Sequence, residues 1–182
     1  MEIEAKIKVE NLDEMERLLA RKGALFKGKE KQEDYFYKTK GQEKAVMRPG
    51  SFILRIRNTG KKKFLTFKAL TEHTGNWVEH EVEIDNVEEM KNILEKAGFT
   101  RILTLTKERK MGKLREFEIN LDRVRELGNY VEIALESDRH DARKDLIDFI
   151  KELGFTEGQI EHRGYAAIIW HSMGIKFEGT QG

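Results

Sequence analysis

The sequence predicts an α+β fold in which a largely antiparallel sheet carries helices on one face. Three observations predict it. Apolar and polar residues alternate with period two over many short segments, as strands with one covered face require. Three other segments carry apolar residues at helical spacing, open on Asn, Ser or Asp, and are followed by glycine. Glycine-marked turns join neighbouring strands as hairpins, and hairpins make antiparallel pairs. A chain of 182 residues is expected to form one domain over 1–182, or two small halves sharing a core.

Strands fit 2–9, 25–38, 52–58, 63–70, 77–85, 99–109, 114–122 and 129–137. Helices fit 11–22, 86–97, 138–153 and 164–173. The first helix has Leu12, Met15, Leu18 and Leu19 on one stripe, with Asn11 as N-cap. The second has Val87, Met90, Ile93 and Leu94 behind Asn86, and the third has Leu146, Ile147, Phe149 and Ile150 behind Ser137 or Asp138. Gly23, Gly98 and Gly154 stand where a left-handed cap belongs. Residues 2–26, 81–99 and 132–155 each read as strand, capped helix, glycine and apolar residue, which suggests a repeated unit. Gly60, Gly75 and Gly112 mark the expected hairpin turns. Residues 39–51, with the chain's one proline, form the longest irregular loop, readable as a lid or as a plain connection.

The polar strand faces are unusual in being charged with both signs. Glu2, Glu4 and Lys6 alternate with Ile3, Ala5 and Ile7. The same holds for Arg55 and Arg57, for Glu79, Glu81 and Glu83, for Glu118, Asn120 and Asp122, and for Tyr130, Glu132 and Glu136. A flat sheet would expose such a face to water. Closing about eight strands into a barrel would gather the charges inside. Arg55, Arg57, Lys68, Lys107 and Arg109 standing against Glu2, Glu4, Asp122 and Glu132 favour the lined cavity.

Composition removes several function classes. Lys and Arg number 34 against 33 Asp and Glu, so the net charge is +1 and bulk-charge binding of nucleic acid is not expected. The chain has no cysteine, which excludes disulfides, thiolate nucleophiles and Cys-ligated zinc. Lys, Arg and Glu richness resembles thermophile composition, although the single proline does not. No apolar run reaches membrane-spanning length and no signal peptide opens the chain, so a cytoplasmic location without a membrane partner is the expectation. No P-loop, HExxH or nucleophile elbow occurs, and the five histidines show no metal-ligand spacing. Tyr35, Phe36, Tyr37, Phe64 and Trp77 are candidates for stacking on a base, or for ordinary packing.

Converging Arg and Lys suit a polyphosphate, Arg as a planar fork and Lys as a point charge. Carboxylates beside them would repel a bare polyanion unless a hard divalent cation such as Mg²⁺ or Mn²⁺ sat between. Glu2 and Glu4 lie about 7 Å apart along their strand face, so each would meet such a cation separately. The mixed cluster therefore reads as a metal–triphosphate site.

These residues resemble the CYTH superfamily, the triphosphate tunnel enzymes. The resemblance covers nearly the whole chain: Glu2-x-Glu4-x-Lys6, LRIR at 54–57, LTFK at 65–68, EVE at 81–83, Lys107-x-Arg109 and Asp122 follow in family order. QEDYFY at 32–37 and DRVRELGNYVEI at 122–133 resemble the class IV adenylate cyclase branch more closely. The resemblance implies a closed antiparallel eight-stranded barrel, the triphosphate tunnel, with helices on its outer face. It implies Glu2, Glu4, Asp122 and Glu132 as metal-binding acids, with Glu4, Asp122 and Glu132 also catalytic, and Mg²⁺ or Mn²⁺ as cofactor. Lys6, Arg55, Arg57, Lys68, Lys107 and Arg109 would bind the triphosphate, and Glu81 would be a further tunnel acid. Ala134 stands where many members carry a second acid after Glu132, and Gly164 stands where a C-terminal segment carries Ser. The implied activity is adenylate cyclase, turning ATP into cyclic AMP and pyrophosphate. The alternatives are a triphosphatase acting on inorganic, thiamine or nucleoside triphosphate, and a non-catalytic polyphosphate or nucleotide binder. A homodimer is compatible with the resemblance.

Overall fold

A computed structural model of the chain describes residues 2–71, 77–139 and 141–176, with backbone only at Glu2 and Trp77. The hairpin turn expected at Gly75, together with His73 and His140, lies outside the described residues. Among the described residues nine strands and four α-helices follow in the order β1 (Glu2–Val9), α1 (Leu12–Arg21), β2 (Leu25–Thr39), β3 (Phe52–Asn58), β4 (Lys63–Leu70), β5 (Trp77–Glu83), α2 (Val87–Lys96), β6 (Phe99–Leu114), β7 (Phe117–Val124), β8 (Gly128–Glu136), α3 (Ala142–Glu152), β9 (Ile160–Glu161) and α4 (Tyr165–Ser172). The strands pair antiparallel, in the order β5-β4-β3-β2-β6-β7-β8-β1-β9. This order is open, with β5 and β9 at its edges. The closed eight-stranded barrel is therefore not formed by these pairings. One reason is local: the short β9, unforeseen in the sequence, takes the edge of β1 opposite β8 through Lys6↔Glu161 and Ile7↔Ile160.

The chain divides into two compact units, residues 1–30 with 107–164 and residues 31–106 with 165–182. In the first, Ala5, Ile7, Ile119, Val131 and Ile133 are fully buried under Leu19 of α1 and Leu146, Phe149 and Ile150 of α3. Phe117 and Phe149 stack with ring centroids 4.0 Å apart. In the second, α2 lays Val87 and Leu94 over Tyr37 and Ile56. In each unit the helices consume the apolar face, so the alternating register leaves the charged residues on the other.

Local chemistry sets the element ends. Asn11 caps α1 by accepting from the backbone N–H groups of Asp13 (2.9 Å) and Glu14 (3.2 Å), and Asn86 caps α2 through Glu89 (3.1 Å). Gly23, Gly98 and Gly154 follow their helices with φ of 97°, 91° and 96°. The third helix starts later than its periodicity suggests, at Ala142 behind Asp141, not behind Ser137 or Asp138. Gly112 is not a turn. It lies inside β6, where a Cβ would stand 2.5 Å from Cδ1 of Phe26, so its lack of a side chain makes room for that ring. The reversal comes at Arg115, the one described non-glycine residue with positive φ (55°). Among the described residues no helix is long and apolar enough to cross a membrane.

Candidate functional site

In the first unit the charged face spans β6, β7, β8 and β1. Register places Arg109 opposite Asp122, Asn120 opposite Glu132, Glu132 opposite Lys6 and Ala134 opposite Glu4. Arg109 is the centre of the cluster. Its Nε and Nη2 grip both oxygens of Asp122 at 2.7 and 2.6 Å, and Nη2 also reaches Oε1 of Glu132 at 2.7 Å. Asn120 donates to the same Glu132 oxygen at 3.2 Å. Lys6 lies 2.5 Å from Glu4 and 3.6 Å from Glu132, and Lys107 lies 3.7 Å from Asp122. Lys6, Lys107, Asp122 and Glu132 are all buried.

Burial pushes the Glu132 carboxyl up, but the charges of Arg109, Lys6 and Lys107 and the Asn120 hydrogen bond outweigh it and hold the group well below its usual range. Glu132 is thus ionised at neutral pH, as a cation ligand must be. The donors on this face are carboxylate and amide oxygens, which suit a hard divalent cation in kind. In the arrangement seen, however, Arg109 bridges two of the acids, and no three His, Cys, Asp or Glu side chains gather closely enough for a metal among the described residues. The fourth expected acid, Glu2, begins β1 opposite Glu136, and its side chain lies outside the described residues.

In the second unit the charged face spans β2, β3, β4 and β5. Arg57 makes a bidentate pair with buried Asp34, both contacts 2.7 Å. Arg55 donates to the Thr66 hydroxyl at 3.1 Å and to Glu81 at 3.3 Å, and Thr66 donates to Glu81 at 2.8 Å. Lys68 pairs with Glu79 at 2.6 Å. Burial, then the neighbouring charge of Arg57, lowers the Arg55 guanidinium's hold on its proton. Burial, then Arg55, does the same to Lys68. Among the described residues the buried Nε of Arg55 has no hydrogen-bond partner. This face crowds three cations, each paired with a carboxylate.

Each predicted cation therefore sits on a charged strand face: Lys6, Lys107 and Arg109 in one unit, Arg55, Arg57 and Lys68 in the other. Sequence reasoning missed Asp34, Thr66, Glu79 and Asn120 as partners, and it missed Lys38. The signal for Asp34 and Lys38 was the period-two row Gln32, Asp34, Phe36, Lys38, every member of which is buried. The proposed stacking rings are largely engaged elsewhere. Lys91 stands 3.6 Å over the Tyr35 ring, Tyr37 is fully buried, and Phe36 meets Trp170 edge-on at 5.4 Å. The side chain of Trp77 lies outside the described residues.

The CYTH domain pattern matches residues 1–165. The chain belongs to the CYTH family. The structure of a conserved hypothetical protein from Pyrococcus furiosus is 30% identical, with a TM-score of 0.76 over 92% of this chain and 99% of that one. A Methanocaldococcus jannaschii protein provisionally named an adenylate cyclase is 25% identical over 171 residues, 91% of this chain and 96% of its own. A Hippeastrum protein named as an adenylyl cyclase candidate, for which a dominant triphosphatase activity is described, shares this fold at 21% identity and a TM-score of 0.66, over 94% of this chain and 95% of its own.

Proposed function

We propose that the chain is a metal-dependent triphosphate-processing enzyme, and that its reaction is adenylate cyclisation. The observation that carries the reading is the crowding of Arg55, Arg57 and Lys68: burial, then a neighbouring cation, weakens the hold of Arg55 and Lys68 on their protons, and the Nε of buried Arg55 has no hydrogen-bond partner among the described residues, an arrangement that favours a polyanion. Lys6, Lys107 and Arg109 are the corresponding cations of the first unit. Glu4, Asp122 and Glu132, with Glu2, are the acids that would hold a divalent cation, which when bound would supply Lewis-acid polarisation of phosphoryl oxygens. For Asp122 or Glu132 to take that role, Arg109 must yield a carboxylate oxygen, and a triphosphate is a fitting new partner for the released guanidinium.

In the cyclase reaction the ribose 3′-hydroxyl loses its proton to water as its oxygen bonds to the α-phosphorus, the bond from that phosphorus to the bridging oxygen breaks, and pyrophosphate leaves. The cations stabilise charge growing on the leaving group. The adenylate cyclase name of the Methanocaldococcus relative supports this choice. A second reading, triphosphate hydrolysis, is favoured by one observation: Tyr35, Phe36 and Tyr37 are engaged in packing and do not offer themselves to an adenine ring. The CYTH fold does not decide between the two, since function follows the site.

Calorimetric titration with tripolyphosphate tests the shared premise. Binding should weaken in Arg55→Met and Lys68→Met, more steeply at low salt. Unchanged affinity in both variants would remove the polyanion reading.

A further inference from the structure

Lys38 ends the buried row on β2, on the same side of the strand as Asp34, and is only 5% exposed. Its Nζ donates to the carbonyl of Ala45 at 2.9 Å. Among the described residues no carboxylate forms an ion pair with it; Glu43, the acid that influences it electrostatically, is half-buried and accepts instead from the N–H of Gly41 at 3.0 Å. An ammonium has three donors, and a single neutral acceptor leaves a buried charge unmatched. Burial accordingly lowers the pKa of Lys38.

Beside Lys38 opens a cavity of about 330 Å³, lined among others by Gln42, Arg48, Ser51 and Phe52. Arg48 adds a second cation, and Ser51 accepts from the Arg48 N–H at 3.1 Å while keeping its own hydroxyl proton to donate. The loop that shapes the cavity is tied at several points rather than hanging as a free lid. Met47, buried, donates its N–H to Lys176, Gly50 donates to Leu70, and Leu70 donates to Ser51, at 2.8, 2.9 and 2.9 Å. A preformed, cation-lined cavity of this size takes a small anion with an organic group attached.

We propose that the cavity under residues 39–51 is a phosphate-binding subsite in which Lys38 and Arg48 grip one phosphate group. It is distinct from the cations assigned to the triphosphate, and it stands whichever reaction the chain catalyses. The test is a titration of the ¹⁵N-labelled full chain with orthophosphate at low ionic strength, followed at the backbone amides of Gly50 and Ser51. Saturable shifts are expected there. The Kd should rise about tenfold in Lys38→Met, the size of a lost charge-assisted hydrogen bond, and be largely restored in Lys38→Arg. Exposed Arg48→Gln should raise it by about threefold without lowering Tm, which separates lost binding from lost folding. AMP in place of orthophosphate distinguishes the sources: tighter AMP binding identifies a phosphate monoester, and equal binding identifies the free anion. Absence of saturable shifts at Gly50 and Ser51, or an unaltered Kd in Arg48→Gln, would overturn the subsite. Shifts confined to the strands of Arg55 and Lys68 would overturn it while leaving the triphosphate reading intact.

Discussion

Replacing Arg109 by Met removes the guanidinium that holds two buried carboxylates together. Three charge-assisted contacts of 2.6–2.7 Å disappear, two to Asp122 and one to Glu132. Asp122 is fully buried and Glu132 is 6% exposed, so water cannot replace the lost donors without opening the sheet. Lys107 and Lys6 remain, but at 3.7 and 3.6 Å they compensate only in part. Removing one partner of a buried ion pair costs about 3–5 kcal/mol, a large share of the ~5–15 kcal/mol that holds a domain folded. The pH dependence has a definite sign. The Glu132 carboxyl is held below its ordinary value of 4.5, so its stabilisation is complete above about that pH and is lost as pH falls through the lowered folded value. In the variant, burial should instead raise that value, so protonation relieves the penalty. Urea denaturation at about pH 7 and about pH 4.5 should therefore show a gap between the two proteins that narrows on acidification. A gap near zero at neutral pH, or one that widens in acid, would refute the account of this cluster.

Arg57→Met removes the bidentate partner of the buried Asp34 and should destabilise by about 3 kcal/mol, with part of the loss recovered when Asp34→Asn is added; urea unfolding of the four proteins in a double-mutant cycle measures this. Gly112→Ala drives a methyl into the Phe26 ring and should cost about 1–3 kcal/mol, with thermal melts showing rescue by Phe26→Leu. Asn11→Ala removes the acceptor for two N–H groups of α1 and should cost about 1 kcal/mol in the same assay, with no change in tripolyphosphate affinity.

The elements that sequence rendered legible are those with a strong local period. The strands at 52–58 and 63–70 and the caps Asn11 and Asn86 stand where alternation and side-chain chemistry put them. So do the strand-face cations, because period two assigns Arg55 with Arg57, and Lys107 with Arg109, to one face of their own strand without knowledge of their neighbours. What failed depended on distant contacts. Gly112 looks like a turn residue, and only Phe26, 86 positions earlier in the chain, explains why it sits in a strand. The pairing of β1 with β9 was not foreseen either, since a two-residue strand carries no period to read. Arg109 as the joint between Asp122 and Glu132 needs the register of three strands at once.

The most direct test of triphosphate processing is product analysis. The purified chain is incubated with ATP and, separately, tripolyphosphate, each with Mg²⁺ or Mn²⁺, alongside Glu132→Gln and Arg55→Met. The account predicts metal-dependent turnover that both substitutions suppress, with cyclic AMP and pyrophosphate from ATP. Orthophosphate without cyclic AMP would replace the cyclase by the triphosphatase, and a chain that turns over neither substrate with either metal would contradict the enzymatic assignment itself.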